Sequence, residues 1–271
     1  NLLEIKDKKS KGTFYTPRKI AKYICEESLT NYLSNNFKDV KKDIFEKIIN
    51  NVEEKNLQSF LTKNYDNIDE KLKDIKICDP AVGSGEFPVE LMNLCVSLRL
   101  KLNEFFNNKK RTSYNMKRHF INNSIYGVDI EDSAIETAKL RLWLSLILDE
   151  DNYENIQPLP NLDYKIFKGN SLLKIDANSL FDDFNSKDLI KLKNEYFNIH
   201  EIKKKNIYKK KIQDKFIEIL GTEDSFDIQI IFEEVFKSKG GFDIILGNPP
   251  YVPLQDIKDN NLKKKYQRLF K

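Results

Sequence analysis

The chain has few of the residues that bind metals or form disulfides: 3 cysteines and 2 histidines among 271 residues. Cys25, Cys78 and Cys95 are odd in number and lack metal-type spacing, which indicates buried, reduced thiols. His119 and His200 have no candidate ligands near them in the sequence. We therefore expect no metal site.

The sequence also lacks a long apolar run and a signal-peptide pattern. Both absences argue against membrane insertion and secretion, and we expect a cytoplasmic protein. Hydrophobic residues make up 40% of the chain, which is enough for a substantial core. The net charge is only +4, from 46 basic and 42 acidic residues. Composition alone therefore gives little support for a nucleic-acid partner, whose signature is clustered basic charge.

A glycine loop follows the first predicted strand. Its residues, 79–87, read Asp-Pro-Ala-Val-Gly-Ser-Gly-Glu-Phe and precede a helical pattern. Gly83 and Gly85 allow the backbone to approach a ligand closely and to adopt positive φ. Asp79, at the strand end, can bind a cation or a polar hydrogen. The loop lacks the third glycine of the dinucleotide fingerprint and the Gly-Lys-Ser/Thr of a phosphate loop, which argues against both of those sites.

An acid ends the second predicted strand, which covers residues 125–130. At this place in a doubly wound sheet, a residue such as Asp129 accepts hydrogen bonds from ribose hydroxyls. Asp129 alone would read more readily as a helix N-cap. The glycine loop upstream makes the ribose interpretation the better one.

The most informative motif is Asn248-Pro249-Pro250-Tyr251, directly after the apolar run 242–247. The prolines fix the backbone, so the Asn248 carboxamide oxygen and the Pro249 carbonyl can act as two fixed acceptors beside an aromatic face. Such a pocket suits a planar group that carries an NH2. A simple strand-ending turn is the alternative, since Asn-Pro commonly starts turns.

Together these motifs resemble S-adenosylmethionine-dependent DNA adenine-N6 methyltransferases of restriction-modification systems, especially fused (type IIG) enzymes and type I modification subunits. The resemblance implies S-adenosylmethionine as cofactor, S-adenosylhomocysteine as product and double-stranded DNA as substrate, with the target base flipped out of the duplex. It assigns catalysis to Asn248, Pro249, Pro250 and Tyr251. The implied cofactor-binding residues are Tyr15, Thr16, Asp79, Pro80, Ala81, Gly83, Gly85, Phe87, Asp129, Ile130, Asn170 and Asn248.

The resemblance also implies a Rossmann-like α/β fold: a mainly parallel, twisted sheet with helices on both faces and helical insertions. We expect strands near 75–79, 125–129, 164–168 and 242–246. In the family, a Tyr-Thr-Pro element lies ahead of the first strand and packs over the cofactor, and residues 15–17 match this Thr-Pro element. Thr16 is a good N-cap, and Pro17 a good first residue, for a helix near the cofactor.

We interpret residues 1–271 as a fragment of a methyltransferase catalytic domain. A cofactor-capping helix would lie within 12–34, and helical insertions would lie at 35–74 and 176–240. A target-recognition domain, and in a fused enzyme a nuclease domain, would belong to the same full-length protein. Lysine runs at 203–205 and 209–211 indicate either a DNA-contacting arm or a solvated helix face, and we favour the second.

Two alternatives to DNA methylation stay open. Protein-glutamine N5-methyltransferases also use Asn-Pro-Pro-Tyr, because a glutamine amide is another planar NH2 group. The chain could also be a cofactor-binding module that is inactive without its recognition domain. The absence of a Pro-Cys motif argues against methylation of cytosine C5.

Overall fold

Four parallel strands form the centre of the fold. The computed structural model describes residues 16–106, 111–150, 162–172, 183–199, 201–220, 226–251, 253, 255, 257 and 260–269. The strand order is β3-β2-β1-β4. The strands are β1 (Ile77–Asp79), β2 (Ile125–Asp129), β3 (Ile166–Lys168) and β4 (Ile244–Ile245). All four lie where the sequence predicted them, and three are shorter than predicted.

Helices flank these strands. In chain order, the described helices are α1 (Arg18–Asn36), α2 (Lys42–Ile49), α3 (Lys55–Asp74), α4 (Glu86–Lys101), α5 (Ser113–Asn123), α6 (Asp132–Ile147), α7 (Asp183–Asn198), α8 (Ile202–Leu220), α9 (Ile228–Ile231), α10 (Glu233–Lys239) and α11 (Asn260–Leu269). A short 3-10 helix, Leu102–Phe105, follows α4. None of the described helices has the length and apolar character needed to cross a lipid bilayer.

Alternating strand residues enter two separate cores, since successive side chains of a strand point to opposite faces. Ile77 and Ile125 join a core formed with α1 to α6. Cys78, Tyr126 and Val128 join a second core formed with α7 to α10. Helices therefore cover both faces of the sheet, and the predicted α/β methyltransferase-type architecture is confirmed.

The sheet order places a topological switch between β1 and β4. The chain runs outward from β1 to β2 and β3, and then returns to pair β4 with the other side of β1. Open α/β sheets bind ligands outside the carboxyl ends of the strands at such a point. Asp79 ends β1 there, and Asn248 follows β4 at the same edge.

The segment 35–74 packs α2 and α3 against the first core. Six apolar residues of this segment are buried or half-buried in that core: Phe37, Ile44, Phe45, Ile48, Phe60 and Leu61. A buried ion-pair cluster fixes α3 to α4, because Asp69 accepts hydrogen bonds from Arg99 Nε at 2.8 Å and from Arg111 Nη2 at 2.7 Å. The cluster lies at the last turn of α4, and the glycine loop precedes the first turn of the same helix.

We expect Asp69→Ala to lower the free energy of unfolding by about 3–5 kcal/mol, because it leaves two buried arginine charges without their carboxylate. Asp66→Ala is the matched control, since Asp66 is exposed on the same helix. Chemical denaturation of both variants measures the difference. Equal midpoints for the two would show that the cluster contributes little to stability.

Candidate functional site

The glycine loop is held against β2 by two backbone donors. Val82 N donates to Val128 O at 2.8 Å, and Gly83 N donates to Asp129 Oδ2 at 2.8 Å. Gly83 and Gly85 have φ of 50° and 80°, which only glycine adopts readily. A Cβ on Gly85 would lie 3.1 Å from Cα of Ala138 in α6. Positive φ therefore favours glycine at both positions, and close packing on α6 is a second requirement at Gly85.

The carboxylate of Asp129 holds the glycine loop and does not cap the helix that follows. Its Oδ1 accepts from Glu131 N at 3.0 Å, while Oδ2 accepts from Gly83 N. The N-cap of α6 is Glu131, so the N-cap alternative for Asp129 is wrong. Each carboxylate oxygen can accept more than one hydrogen bond. Asp129 therefore keeps acceptor capacity toward a ligand at the edge of the sheet.

Asp79 is a buried carboxylate at the switch point, with only 1% of its surface exposed. Ala81 N donates to its Oδ1 at 3.0 Å, whereas Oδ2 has no hydrogen-bond partner among the described residues. Burial raises the pKa of Asp79 to about 7, outweighing the Ala81 hydrogen bond, and the nearby charge of Asp129 adds to the increase. Within the described part of the chain, no cluster of side chains could hold a metal ion.

Gly247 brings the end of β4 directly against Asp79. A Cβ at Gly247 would lie 2.6 Å from Asp79 Oδ1, so no larger residue fits without a shift. Leu246 N donates to Cys78 O at 3.1 Å and extends the β1–β4 pairing up to this glycine. The close approach brings the backbone that carries Asn248 next to the Asp79 carboxylate. A glycine at the end of a strand pattern signals such an approach, although we assigned Gly247 no role from the sequence.

Asn248 contacts the start of α1. Its Nδ2 donates to Thr16 Oγ1 at 3.1 Å, which joins the Thr-Pro element to the predicted catalytic motif. The prediction that Thr16 caps α1 is wrong, because the N-cap is Pro17 and no side chain caps the helix. The Thr16 hydroxyl serves as acceptor for Asn248 instead. Tyr15 lies outside the described residues.

A match to a protein-family model identifies the family of this chain. The model for the Eco57I restriction-modification methylase matches residues 123–271, which contain β2, β3, β4 and Asn248–Tyr251. The chain belongs to the Eco57I restriction-modification methylase family. The prediction of a methyltransferase domain of restriction-modification type is therefore confirmed.

A relative found by sequence similarity has a compatible name. Over 191 residues the chain is 34% identical to "Putative type II restriction enzyme and methyltransferase RM.MjaORFECS2P" of Methanocaldococcus jannaschii. The aligned region covers 66% of this chain and 16% of that protein. The chain thus spans about a sixth of the length of the relative that it matches.

In this Eco57I-family domain, the side chains that follow β3 make hydrogen bonds to other parts of the protein. Asn170 Nδ2 donates to the Tyr266 hydroxyl at 2.6 Å, and its Oδ1 accepts from Leu172 N at 3.2 Å. Ser171 Oγ donates to Pro80 O at 2.7 Å, which ties this turn to the glycine loop. Asn170 therefore lies at the correct edge, and its contact with the cofactor adenine stays a prediction. No local sequence pattern indicated the roles of Ser171 and Tyr266.

The remaining predicted site residues differ in exposure. Phe87 is buried in the first core, where its carbonyl accepts from Cys25 Sγ at 3.7 Å and links α4 to α1. Ile130 is 57% exposed beside Asp129, and Tyr251 is 75% exposed after the two prolines. Pro80 and Ala81 are half-buried within the loop. Exposed apolar surface at Ile130 and Tyr251 is available for planar groups.

The first lysine run, 203–205, lies on the part of α8 that is farther from this edge. Lys205 Nζ lies 5.2 Å from the centre of the Tyr196 ring, whose hydroxyl donates to Asp163 before β3, whereas Phe216 packs on Phe167 within β3 at 5.7 Å between ring centroids. Helix α8 therefore runs toward the site. Its lysines at 203–205 lie about 15–20 Å back along the helix axis from Phe216, at 1.5 Å per residue. This position favours the solvated-face interpretation.

Proposed function

We propose that this chain transfers the methyl group of S-adenosylmethionine to N6 of adenine in double-stranded DNA, within a restriction-modification system. One observation carries the proposal: Gly247 brings the backbone that precedes Asn248 against the buried carboxylate of Asp79, whose Oδ2 has no described partner. A site for an amino-bearing cofactor would therefore adjoin a site for a planar NH2 group at the switch point.

The residues at the edge of the sheet fit S-adenosylmethionine. Asp79 Oδ2 is a buried acceptor without a described partner, which suits the ammonium of the methionine moiety. Asp129, at the end of β2, suits the ribose hydroxyls. A Cβ at Gly83 would meet only Ala81 O, at 3.9 Å, so the space over the loop is open for a ligand. When bound, this cofactor supplies an electrophilic methyl group on a positively charged sulfur.

Asn248 and the prolines would hold the amino group that is methylated. Nδ2 of Asn248 is directed to Thr16, so Oδ1 is left to accept a hydrogen from adenine N6. The Pro249 carbonyl would accept the second hydrogen, and both acceptors would draw the N6 lone pair out of conjugation with the ring. The exposed ring of Tyr251 would stack on the base.

An adenine in a duplex must leave the base stack to reach this pocket. Methyltransferases that act on bases extrude the target nucleotide, and the cost is a few kcal/mol. In the pocket, adenine N6 would be held beside the methyl carbon of the cofactor. Positioning of this kind can lower the activation barrier of a reaction by roughly 7–11 kcal/mol at best. Alignment therefore matters more here than a strong base.

DNA is favoured over a glutamine side chain as the acceptor. Both acceptors present a planar NH2, so the Asn-Pro-Pro-Tyr motif alone does not separate them. Membership of a restriction-modification methylase family supports DNA. The Thr16–Asn248 contact supports the same conclusion, because the Thr-Pro element is part of the resemblance to the DNA enzymes.

The test compares two methyl acceptors in separate reactions. The complete protein is incubated with methyl-labelled S-adenosylmethionine and either adenine-containing duplex DNA or a glutamine peptide resembling a release factor. We expect label in the DNA alone. Label in the peptide and none in the DNA would overturn the proposal, as would failure of the protein to bind the cofactor in calorimetry.

We expect Thr16→Val to slow methylation about threefold to tenfold, the loss typical of one neutral hydrogen bond. The valine keeps the shape of threonine but cannot accept from Asn248, so the carboxamide loses its orientation. Cofactor affinity should change less than the rate. Single-turnover kinetics with saturating DNA measures the effect, and an unchanged rate would mean that Thr16 does not position Asn248.

A further inference from the structure

The first two turns of α1 carry exposed side chains beside the predicted catalytic motif. Thr16, immediately before the helix, accepts a hydrogen bond from Asn248. Ile20 is 51% exposed and Tyr23 is 65% exposed, although both are large hydrophobic residues. Lys19 and Lys22 are exposed in the same two turns. An exposed surface of mixed basic and aromatic character therefore lies next to the proposed base pocket.

The charged residues at the start of α1 do not have the sign that stabilises a helix N-terminus. Acidic residues stabilise the first turn of a helix and cations destabilise it, because the N-terminus carries partial positive charge. The first turn of α1 has no acidic residue. Lys22 precedes Glu26 by four residues, with 3.6 Å between Nζ and Oε1, and this order is less favourable than glutamate before lysine. Electrostatics at the helix terminus therefore does not explain Lys19, whereas the ion pair with Glu26 accounts for part of the role of Lys22.

Helical spacing places two of the basic residues beside Tyr23. Lys19, Lys22 and Tyr23 have the i, i+3, i+4 spacing of one helix face. Arg18 is also exposed, but it lies three and seven residues before Ala21 and Cys25, which are buried in the first core, so it is at the border of this face. Lys19 and Lys22 are therefore the basic residues of the exposed face.

We infer that Lys19 and Lys22 bind the backbone phosphates beside the target adenine, with Tyr23 packing against the same stretch of DNA. This inference rests on the proposed function, because it takes Asn248 as the position of the flipped base. Duplex DNA carries dense, regular negative charge, and lysines that neutralise phosphates release condensed counterions. Such contacts fix the position of the duplex without reading its sequence.

The lysines of α8 provide a matched comparison. Lys203 and Lys210 are exposed, as Lys19 and Lys22 are, but they lie about 20 Å and 9 Å back along the axis of α8 from Phe216. If only the total charge of the protein mattered, both pairs of lysines would contribute equally to DNA binding. Contact with phosphates next to the pocket would make only the α1 pair important.

The experiment measures binding of the complete protein to duplex DNA across a salt series. For Lys19→Gln plus Lys22→Gln, we expect the slope of log affinity against log salt to become shallower by about two, at about 0.9 for each phosphate that is no longer neutralised. For Lys203→Gln plus Lys210→Gln, we expect the wild-type slope. Equal changes in the two double variants, or none in the first, would overturn the inference.

A single charge reversal separates a binding role from a structural one. Lys19→Glu adds an acidic residue to the first turn of α1, so we expect equal or higher thermal stability together with weaker DNA binding. A fall in both would indicate a structural role and count against phosphate contact. Wild-type methylation of adenine in DNA is assayed in parallel. If it is absent, the proposed function fails; if it is present while the salt slopes stay unchanged, only this inference fails.

Discussion

Replacing Asn248 with alanine is expected to slow methyl transfer by about 100- to 1,000-fold, the loss that follows removal of one positioned hydrogen-bonding group from a transition state. The variant loses the carboxamide oxygen that would hold adenine N6. Asp79, Asp129 and the glycine loop remain, so cofactor affinity should stay close to that of the wild type. Single-turnover methylation and calorimetry with S-adenosylmethionine give the two quantities separately.

Asn67→Ala is the control for this substitution, since Asn67 is exposed on α3 and belongs to no proposed site. It should leave both the rate and the affinity unchanged. Methylation by Asn248→Ala near the wild-type rate would remove Asn248 from the proposed chemistry. A large loss of cofactor affinity in Asn248→Ala would instead place this residue in the cofactor pocket.

The second large effect is expected at Asp79, where Asp79→Asn should weaken cofactor binding about 10- to 100-fold. Hydrogen bonds to charged groups contribute about 1.5–3 kcal/mol, and the neutral amide loses the attraction to the ammonium of the cofactor. Asparagine keeps an oxygen for the hydrogen bond from Ala81 N. Loss of affinity would then report the charge at this position rather than collapse of the loop.

The same substitution should stabilise the protein without cofactor at pH 8. Burial raises the pKa of Asp79 from an ordinary 3.8 to about 7, so the folded state holds a proton that the unfolded state releases. Stability therefore falls as the pH rises from about 4 through 7, and the full penalty applies above 7. At about 1.4 kcal/mol for each pKa unit, the penalty is at most roughly 4 kcal/mol.

Thermal unfolding against pH, with and without cofactor, tests both expectations for Asp79. The wild type should lose more stability than Asp79→Asn between pH 5 and pH 8 without cofactor, and it should regain more when cofactor is added. Parallel pH profiles for the two proteins would show that Asp79 does not titrate in this range. Equal cofactor affinities would remove Asp79 from the pocket.

The strands and loops of this fold could be predicted from local patterns. Short apolar stretches before the glycine loop, before Asp129 and before Asn248 correspond to β1, β2 and β4. Each pattern is local, because a buried parallel strand needs apolar residues on both faces and ends where polar residues begin. The glycines of the loop were predictable for the same reason, since positive φ is a local demand.

The particular hydrogen bonds between distant segments could not be predicted from local patterns. Thr16 reads locally as a helix cap, but its hydroxyl accepts from Asn248, 232 residues away. The hydrogen bond between Asn170 and Tyr266 spans 96 residues. The burial of Asp79, and with it the raised pKa, depends on the approach of Gly247 from β4. Such features arise from the sheet order, which local patterns do not determine.

The most direct test is the chemical identity of the methylated product. Duplex DNA from a strain without adenine methylation, treated with the complete protein and labelled S-adenosylmethionine, is digested to nucleosides and analysed by mass spectrometry. Adenine N6 methylation predicts labelled N6-methyldeoxyadenosine with the wild type and little with Asn248→Ala. Label in a cytosine nucleoside, or equal N6-methyldeoxyadenosine from both proteins, would contradict it.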